Sequence, residues 1–268
     1  MNGEILYDIN GGPITAVLFL TMLVAVELGY RLGLRRKDVA NEASRSQIST
    51  VQGSILGILA LLLAFTFSLA LQRYDSRSDA VVDEANAIGT TFLRTQLLPM
   101  PLRGEVQAVL RDYVDNRVRD SALSARQQAE SNALARTALQ LQNTLWDQAR
   151  RATEADPKPA TSGLFVQALN EMIDSYSRRE AGLDRHVPEL VLFLLFLTLL
   201  VASLGVGYSS GVNGERPTAI SFAMLVLVAA LVFVILDLDR PRRGIIVVSK
   251  QSLIELQSGM QAPTAAPR

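Results

Sequence analysis

Few side chains in this sequence are equipped to make or break bonds. Its 268 residues include no cysteine and one histidine. A thiolate nucleophile, a disulfide and a thiolate metal site are therefore excluded, and His186 is the one imidazole that can act as a base. A Ser-His-Asp arrangement around His186 would need an orienting partner and an oxyanion site, and no motif marks either. There is no phosphate-cradling glycine loop, dinucleotide fingerprint, nucleophile elbow or metal-spaced histidine pair. We expect no catalytic residue, cofactor or metal site, and the chain does not read as an enzyme. With 26 basic and 26 acidic residues the net charge is zero, which gives no electrostatic reason to bind nucleic acid.

Two other groups of residues have spacing that can do physical work. The first is a set of charges flanking apolar stretches: Arg73 and Asp75, then His186 and Glu189, then Asp237, Asp239, Arg240 and Arg243. Glu189 and Asp237 lie at or inside an apolar boundary, where a lone carboxylate is costly, so partners such as Arg73 or Arg240 are expected. Such a cluster serves either as the mouth of an ion pathway or as an ion-pair girdle that sets helix positions. The second group is Gly53, Gly57, Ala60, Ala64 and Ser68, one small-residue helix face that opens with Gly-x-x-x-Gly and lets a second helix approach closely, within the chain or between subunits. Leu62 and Phe65, on other faces of the same helix, would form an apolar constriction if several copies surrounded an axis, and are otherwise packing or lipid-facing residues.

The elements that carry these residues follow from the hydropathy. Stretches 13–34, 52–72, 187–208 and 217–237 contain only four charges, Glu27, Arg31, Glu189 and Asp237. Each is long enough as a helix to cross a hydrocarbon core of about 30 Å. None shows the polar stripe of a soluble core helix. The first is expected to be a retained helix rather than a cleaved signal peptide, because residues 1–12 carry Glu4 and Asp8 and no Lys or Arg, while Arg35, Arg36 and Lys37 come after the stretch. Glu27 and Arg31 stand one helical turn apart and can pair.

Four spans place residues 1–12, the insertion 73–186 and the tail 238–268 on one side of the membrane, with only the short loops 35–51 and 209–216 opposite. Charge counts do not decide which side is cytoplasmic. Arg35, Arg36, Lys37 and Arg45 argue for the loop side, and Arg240, Arg242, Arg243 and Lys250 for the other.

The insertion reads as helical. Val81, Val82, Ala85, Ile88, Phe92 and Leu93 extend the second span past the bilayer until Pro99 and Pro101 stop it. Apolar faces follow at Val106, Val109, Leu110, Tyr113, Val114 and Val118, at Leu134, Ala138, Leu141 and Leu145, and at Phe165, Ala168, Leu169, Met172, Ile173 and Tyr176. Antiparallel helical hairpins are expected, since both ends return to the membrane. Trp146 is expected to pack between helices. After the fourth span, 244–249 is β-prone, 252–257 has room for one or two helical turns, and 262–268 reads as an unstructured tail.

The run LGILALLLAFTFSLALQRYDSRSDAVVDEANAIGTTFLRTQLLP, Leu56 to Pro99, resembles the signature of bacterial bestrophin-like domain membrane proteins. The end of the first span, Glu27-Leu-Gly-Tyr-Arg-Leu-Gly33, the third span LFLTLLVASLGVGY and Asp239-Arg-Pro-x-x-Gly244 are similar too, and Glu84-Ala-Asn-Ala-Ile-Gly89 is the most specific block. The family takes its name from bestrophins, pentameric anion channels with four membrane helices, a helical cytoplasmic portion between the second and third, and a pore lined by the second. The resemblance therefore implies an all-α, four-span fold with that layout, a homo-oligomer (a pentamer by resemblance) and small ions as the species handled. It also implies a bacterial cytoplasmic membrane location with the insertion and both termini cytoplasmic. The bestrophin pore-constriction motif is not evident, so no pore residue is transferred by motif. The leading functional expectation is an oligomeric ion channel or transport protein in the lipid bilayer. The alternative is a non-conducting scaffold or signalling protein whose insertion binds a protein partner.

Overall fold

The computed structural model describes residues 10–261, so the expected unstructured tail at 262–268 lies outside the described residues. The fold is all-α, with eight α-helices and no strand among the described residues. The helices are α1 (Gly11–Leu34), α2 (Glu42–Arg94), α3 (Leu102–Ala122), α4 (Gln128–Ala155), α5 (Leu164–Leu183), α6 (Glu189–Asn213), α7 (Ala219–Leu238) and α8 (Gln251–Gln261). Four of them, α1, α2, α6 and α7, are long and apolar enough to cross a membrane.

The second helix begins ten residues before the expected span. Asn41 accepts the backbone N–H of Ser44 at 2.9 Å, an N-cap that starts a helix in polar sequence where hydropathy has nothing to detect. The expected loop 35–51 thus shrinks to 35–41. The 53 residues of α2 continue unbroken to Arg94, about 80 Å at the helical rise.

The chain divides into two compact units. Among the described residues, the first comprises 10–73, 186–240 and 244–246, and the second 74–185, 241–243 and 247–261. In the first, α1 packs mainly on α6 and also on α7. The inward faces are narrow: Leu18, Met22 and Val26 on α1, Leu59, Leu63, Thr66 and Ala70 on α2, Leu195, Leu199 and Val206 on α6, and Leu225, Ala229 and Val232 on α7. Large apolar side chains such as Leu20, Phe65, Leu190 and Leu227 point outward. This is the reverse of a soluble bundle and suits surroundings of hydrocarbon. Gly214 ends α6 with φ +75°, a left-handed conformation that side chains with a Cβ resist. Thr218 then caps α7 by accepting from the Ser221 N–H.

The second unit has an apolar core of its own. The 74–94 part of α2 contributes Val81, Ala85 and Ile88; α3 contributes Val106, Leu110, Tyr113 and Val114; α4 contributes Ala138, Leu145 and Ala149; α5 contributes Phe165, Leu169, Met172 and Tyr176. These are the periodic faces expected from spacing, and α3 packs on α4 and α4 on α5 as hairpins. The turn into α5 is held by Asp156, whose carboxylate accepts from the Thr161 hydroxyl at 2.6 Å and lies below the usual carboxylate range chiefly because of that bond.

Three local expectations need correction. Trp146 is 40% exposed, on the outer side of α4, while Leu145 and Ala149 turn inward. Residues 252–257 belong to a longer helix, α8, whose Leu253 and Met260 join the core. Residues 244–249 form no strand, since no neighbouring strand edge is present to complete one and a carboxylate takes two of their amides instead.

Candidate functional site

On α2, one side buries Leu59, Leu63, Thr66 and Ala70. Gly53, Gly57, Ala60, Ala64 and Ser68 lie on the other and are exposed. A Cβ built on Gly53 or Gly57 meets no atom within 4 Å. The small-residue face is therefore open among the described residues. Phe65 on its flank is 60% exposed, and Leu62 is partly covered.

Close helix contact within the chain is made elsewhere. Gly29 and Gly33 on α1 face Gly207 and Gly211 on α6, two Gly-x-x-x-Gly pairs in register. A Cβ on Gly29 would overlap the Leu204 carbonyl oxygen and one on Gly207 the Val26 carbonyl oxygen. The backbones touch, so any larger residue must part the helices. The Gly-x-x-x-Gly pair expected to admit a second helix, at Gly53 and Gly57, meets no partner among the described residues.

Part of the expected charge cluster is tied to backbone. Asp237, buried at the end of α7, accepts the N–H of Ile245 at 2.9 and 3.0 Å and that of Ile246 at 2.8 Å. A Cβ on Gly244 would lie 2.7 Å from this carboxylate, so glycine there lets the chain fold back over it. Asp239 accepts the Val187 N–H at 2.9 Å, and His186 Nδ1 lies 3.2 Å from the Asp239 carbonyl oxygen, which assigns the proton to Nδ1. The Arg240 side chain is buried and reaches Gly11 at the start of α1. These contacts draw the ends of α1, α6 and α7 together. Glu189 and Arg73 are partly covered in the same unit. Asp75 and Arg243 are exposed residues of the second unit. Backbone amides, rather than arginine, are thus the recorded partners of Asp237.

The second unit contains a polar centre that sequence reasoning did not find. Glu84 of α2, wholly buried, receives Arg117 Nε at 2.7 Å and also pairs with Arg179. Arg117 reaches Glu180 at 2.9 Å and Asp120 at 3.5 Å, and its guanidinium lies over the Tyr176 ring, 4.6 Å from the centroid. Asp120 in turn binds Arg242 at 2.9 Å, and Arg242 donates to Ser131 at 2.6 Å. Three carboxylates and three guanidinium groups balance. Burial opposes the charge on Arg117, but Glu84, Tyr113 and Glu180 outweigh it and hold the group above its ordinary range. Burial, reinforced by Glu84, likewise pushes the Tyr113 phenol up. Such a charge-balanced knot, buried at Glu84 and Arg117 and reaching solvent at Glu180 and Arg242, fixes the mutual positions of α2, α3, α5 and the 241–243 segment.

The Glu84–Gly89 block now has a physical reading. Glu84 is the centre of the knot, Ile88 is fully buried, and a Cβ on Gly89 would come within 3.3 Å of Leu256 on α8. Among the described residues no group of three or more His, Cys, Asp or Glu side chains is arranged to hold a metal.

No curated protein and no solved structure matches the chain. Residues 16–253 match the family model described as Bestrophin-like domain, a range that takes in most of α1, the other three spans, the knot and the tie at Asp237. With nine-tenths of its length covered by that one model, this four-span membrane protein belongs to the bestrophin-like domain family.

Proposed function

We propose that the protein assembles as a homo-oligomer, a pentamer by family resemblance, in the bacterial cytoplasmic membrane. There the open face of α2 surrounds a passage for small ions, with the insertion and both termini in the cytoplasm. The observation that carries this reading is the contrast between helix faces. The outward rows of α1, α6 and α7 are Leu, Val, Ile and Phe, whereas α2 presents, beside an outward row of Ile58, Leu61, Phe65 and Leu69, a second exposed row of Gly53, Gly57, Ala60, Ala64 and Ser68. Lipid contact rewards large apolar side chains. Small ones leave backbone carbonyls and a hydroxyl accessible, which suits a neighbouring helix or a water-filled axis. Phe65 and Leu62, beside that row, are the candidates for an apolar narrowing. Purified protein in liposomes should carry anions or cations, and Phe65→Ala should change the conductance without lowering thermal stability. A monomer that passes no ion over a broad range of ions and pH overturns the proposal.

A second reading, a non-conducting scaffold, draws on a polar groove of about 470 Å³ in the insertion, lined by Asp83, Asn86, Thr90, Arg94, Gln167 and Glu171. A stoichiometric protein partner recovered by crosslinking, with no ion flux, would favour it.

A further inference from the structure

We infer that an anionic phospholipid binds along the seam of α1 and α6, with an acyl chain in the groove between them and its phosphate on Arg31 and Arg35. The groove measures about 470 Å³ and is lined by Val17, Leu20, Val24 and Leu28 of α1 with Val201 and Leu204 of α6. The glycine contacts near the end of α1 set the two backbones against each other, which leaves this row standing at the edge of the seam. All four α1 residues are more than half exposed. Thr21, the one polar side chain lining the groove, is already bonded to the Leu18 carbonyl oxygen at 2.7 Å. Nothing in the groove asks for water.

The dimensions match one leaflet. Val17 to Leu28 spans about 17 Å of helix, a little more than half of a hydrocarbon core of about 30 Å. The same helical row continues, at spacings of three and four, through Arg31 to Arg35, the residue that closes α1. The two cations therefore stand at the groove's end, at headgroup depth. Arg31 is exposed and paired with Glu27 at 2.7 Å.

Charge also argues against a helix from a second copy as the occupant. Such a helix would need a carboxylate opposite Arg31 and Arg35. At this face the chain carries Arg35, Arg36, Lys37, Arg45 and Arg216 against Asp38, Glu42 and Glu215, with Arg31 already paired to Glu27, so a second copy would bring net positive charge to a net positive edge. A phospholipid phosphate supplies the missing negative charge and its chain supplies the hydrocarbon. This inference is independent of whether the protein conducts.

The test uses the full-length protein in detergent, equilibrated with equal amounts of phosphatidylglycerol and phosphatidylcholine bearing identical acyl chains and read by native mass spectrometry. Wild type should retain phosphatidylglycerol in preference. Arg31→Gln and Arg35→Gln should each lower the phosphatidylglycerol to phosphatidylcholine ratio roughly five-fold. Glu27→Gln should raise that ratio by freeing Arg31, an increase that a folding defect cannot produce. Val24→Trp, which fills the groove, should reduce retention of both lipids. Equal retention of the two lipids by wild type, an unchanged ratio in the arginine variants, or full lipid occupancy in Val24→Trp overturns the inference.

Discussion

Glu84→Gln is the sharpest probe of the insertion. The substitution keeps the shape of the side chain and removes one charge from a centre where three carboxylates balance three guanidinium groups. Arg117 cannot escape to solvent, because its side chain is fully buried with Glu84 at 2.7 Å. Arg179 retains only a sliver of exposure. A glutamine offers one acceptor oxygen and turns an N–H₂ group toward the other guanidinium, donor against donor. Removing one partner of a buried ion pair costs about 3–5 kcal/mol, which raises the open fraction of the unit by roughly 10² to 10³-fold or more. Hydrogen exchange on the detergent-solubilised protein reads this directly, and the slowest amides of α3 and α5 should speed up by that factor while those of α1 and α6 do not. Glu84→Gln with Arg179→Gln restores neutrality and should recover about 1 kcal/mol or more relative to Glu84→Gln alone. Protection in α3 and α5 that is unchanged in the single variant, or costs that simply add in the double, would refute the claim that the knot is a balanced buried network.

Other consequences are as direct. Gly207→Leu must part α1 from α6 and should lower thermal stability in detergent by about 1–3 kcal/mol or more, whereas Gly53→Leu, with open space around it, should cost the chain nothing; equal melting temperatures would contradict the seam. Asp237→Ala strands the amides of Ile245 and Ile246, at a cost of about 1–3 kcal/mol, and should accelerate exchange at 244–249 ahead of the rest of the chain. The Tyr113 phenol is raised above its unfolded value, so its contribution is complete below about pH 10 and is lost as the pH climbs from there toward the folded value, because the unfolded chain releases the proton first. Absorbance at alkaline pH should show Tyr113 ionising only as the insertion unfolds, and Tyr113→Phe should flatten the decline; early titration of that tyrosine in the folded protein would contradict its burial.

Much of the architecture was readable before any coordinates, for identifiable reasons. A bilayer demands about twenty consecutive apolar residues with every backbone group bonded internally, so the spans stand out in composition. The faces of α3, α4 and α5 were legible because a helix repeats its buried side every three or four residues. The start of α2 was not, since Glu42–Val51 is polar and only the Asn41 cap announces it. The β-prone run at 244–249 forms no strand because β propensity describes a pleated, paired surface, and the local competitor is a carboxylate from α7.

The sequence by itself determined which segments enter the membrane, which face of each soluble helix turns inward, and that thiol and metal–thiolate chemistry are out of reach. These depend on composition and on periods of a few residues, and both survive in one dimension. Tertiary structure alone decided which glycine pairs touch, and which charges among 52 form the core of the insertion. Gly29 meets Gly207, and Glu84 meets Arg117 and Arg179, across separations that no local pattern encodes. A buried charge is identical in sequence to a solvated one. What distinguishes them is the removal of water, and that happens only when distant helices close around the side chain.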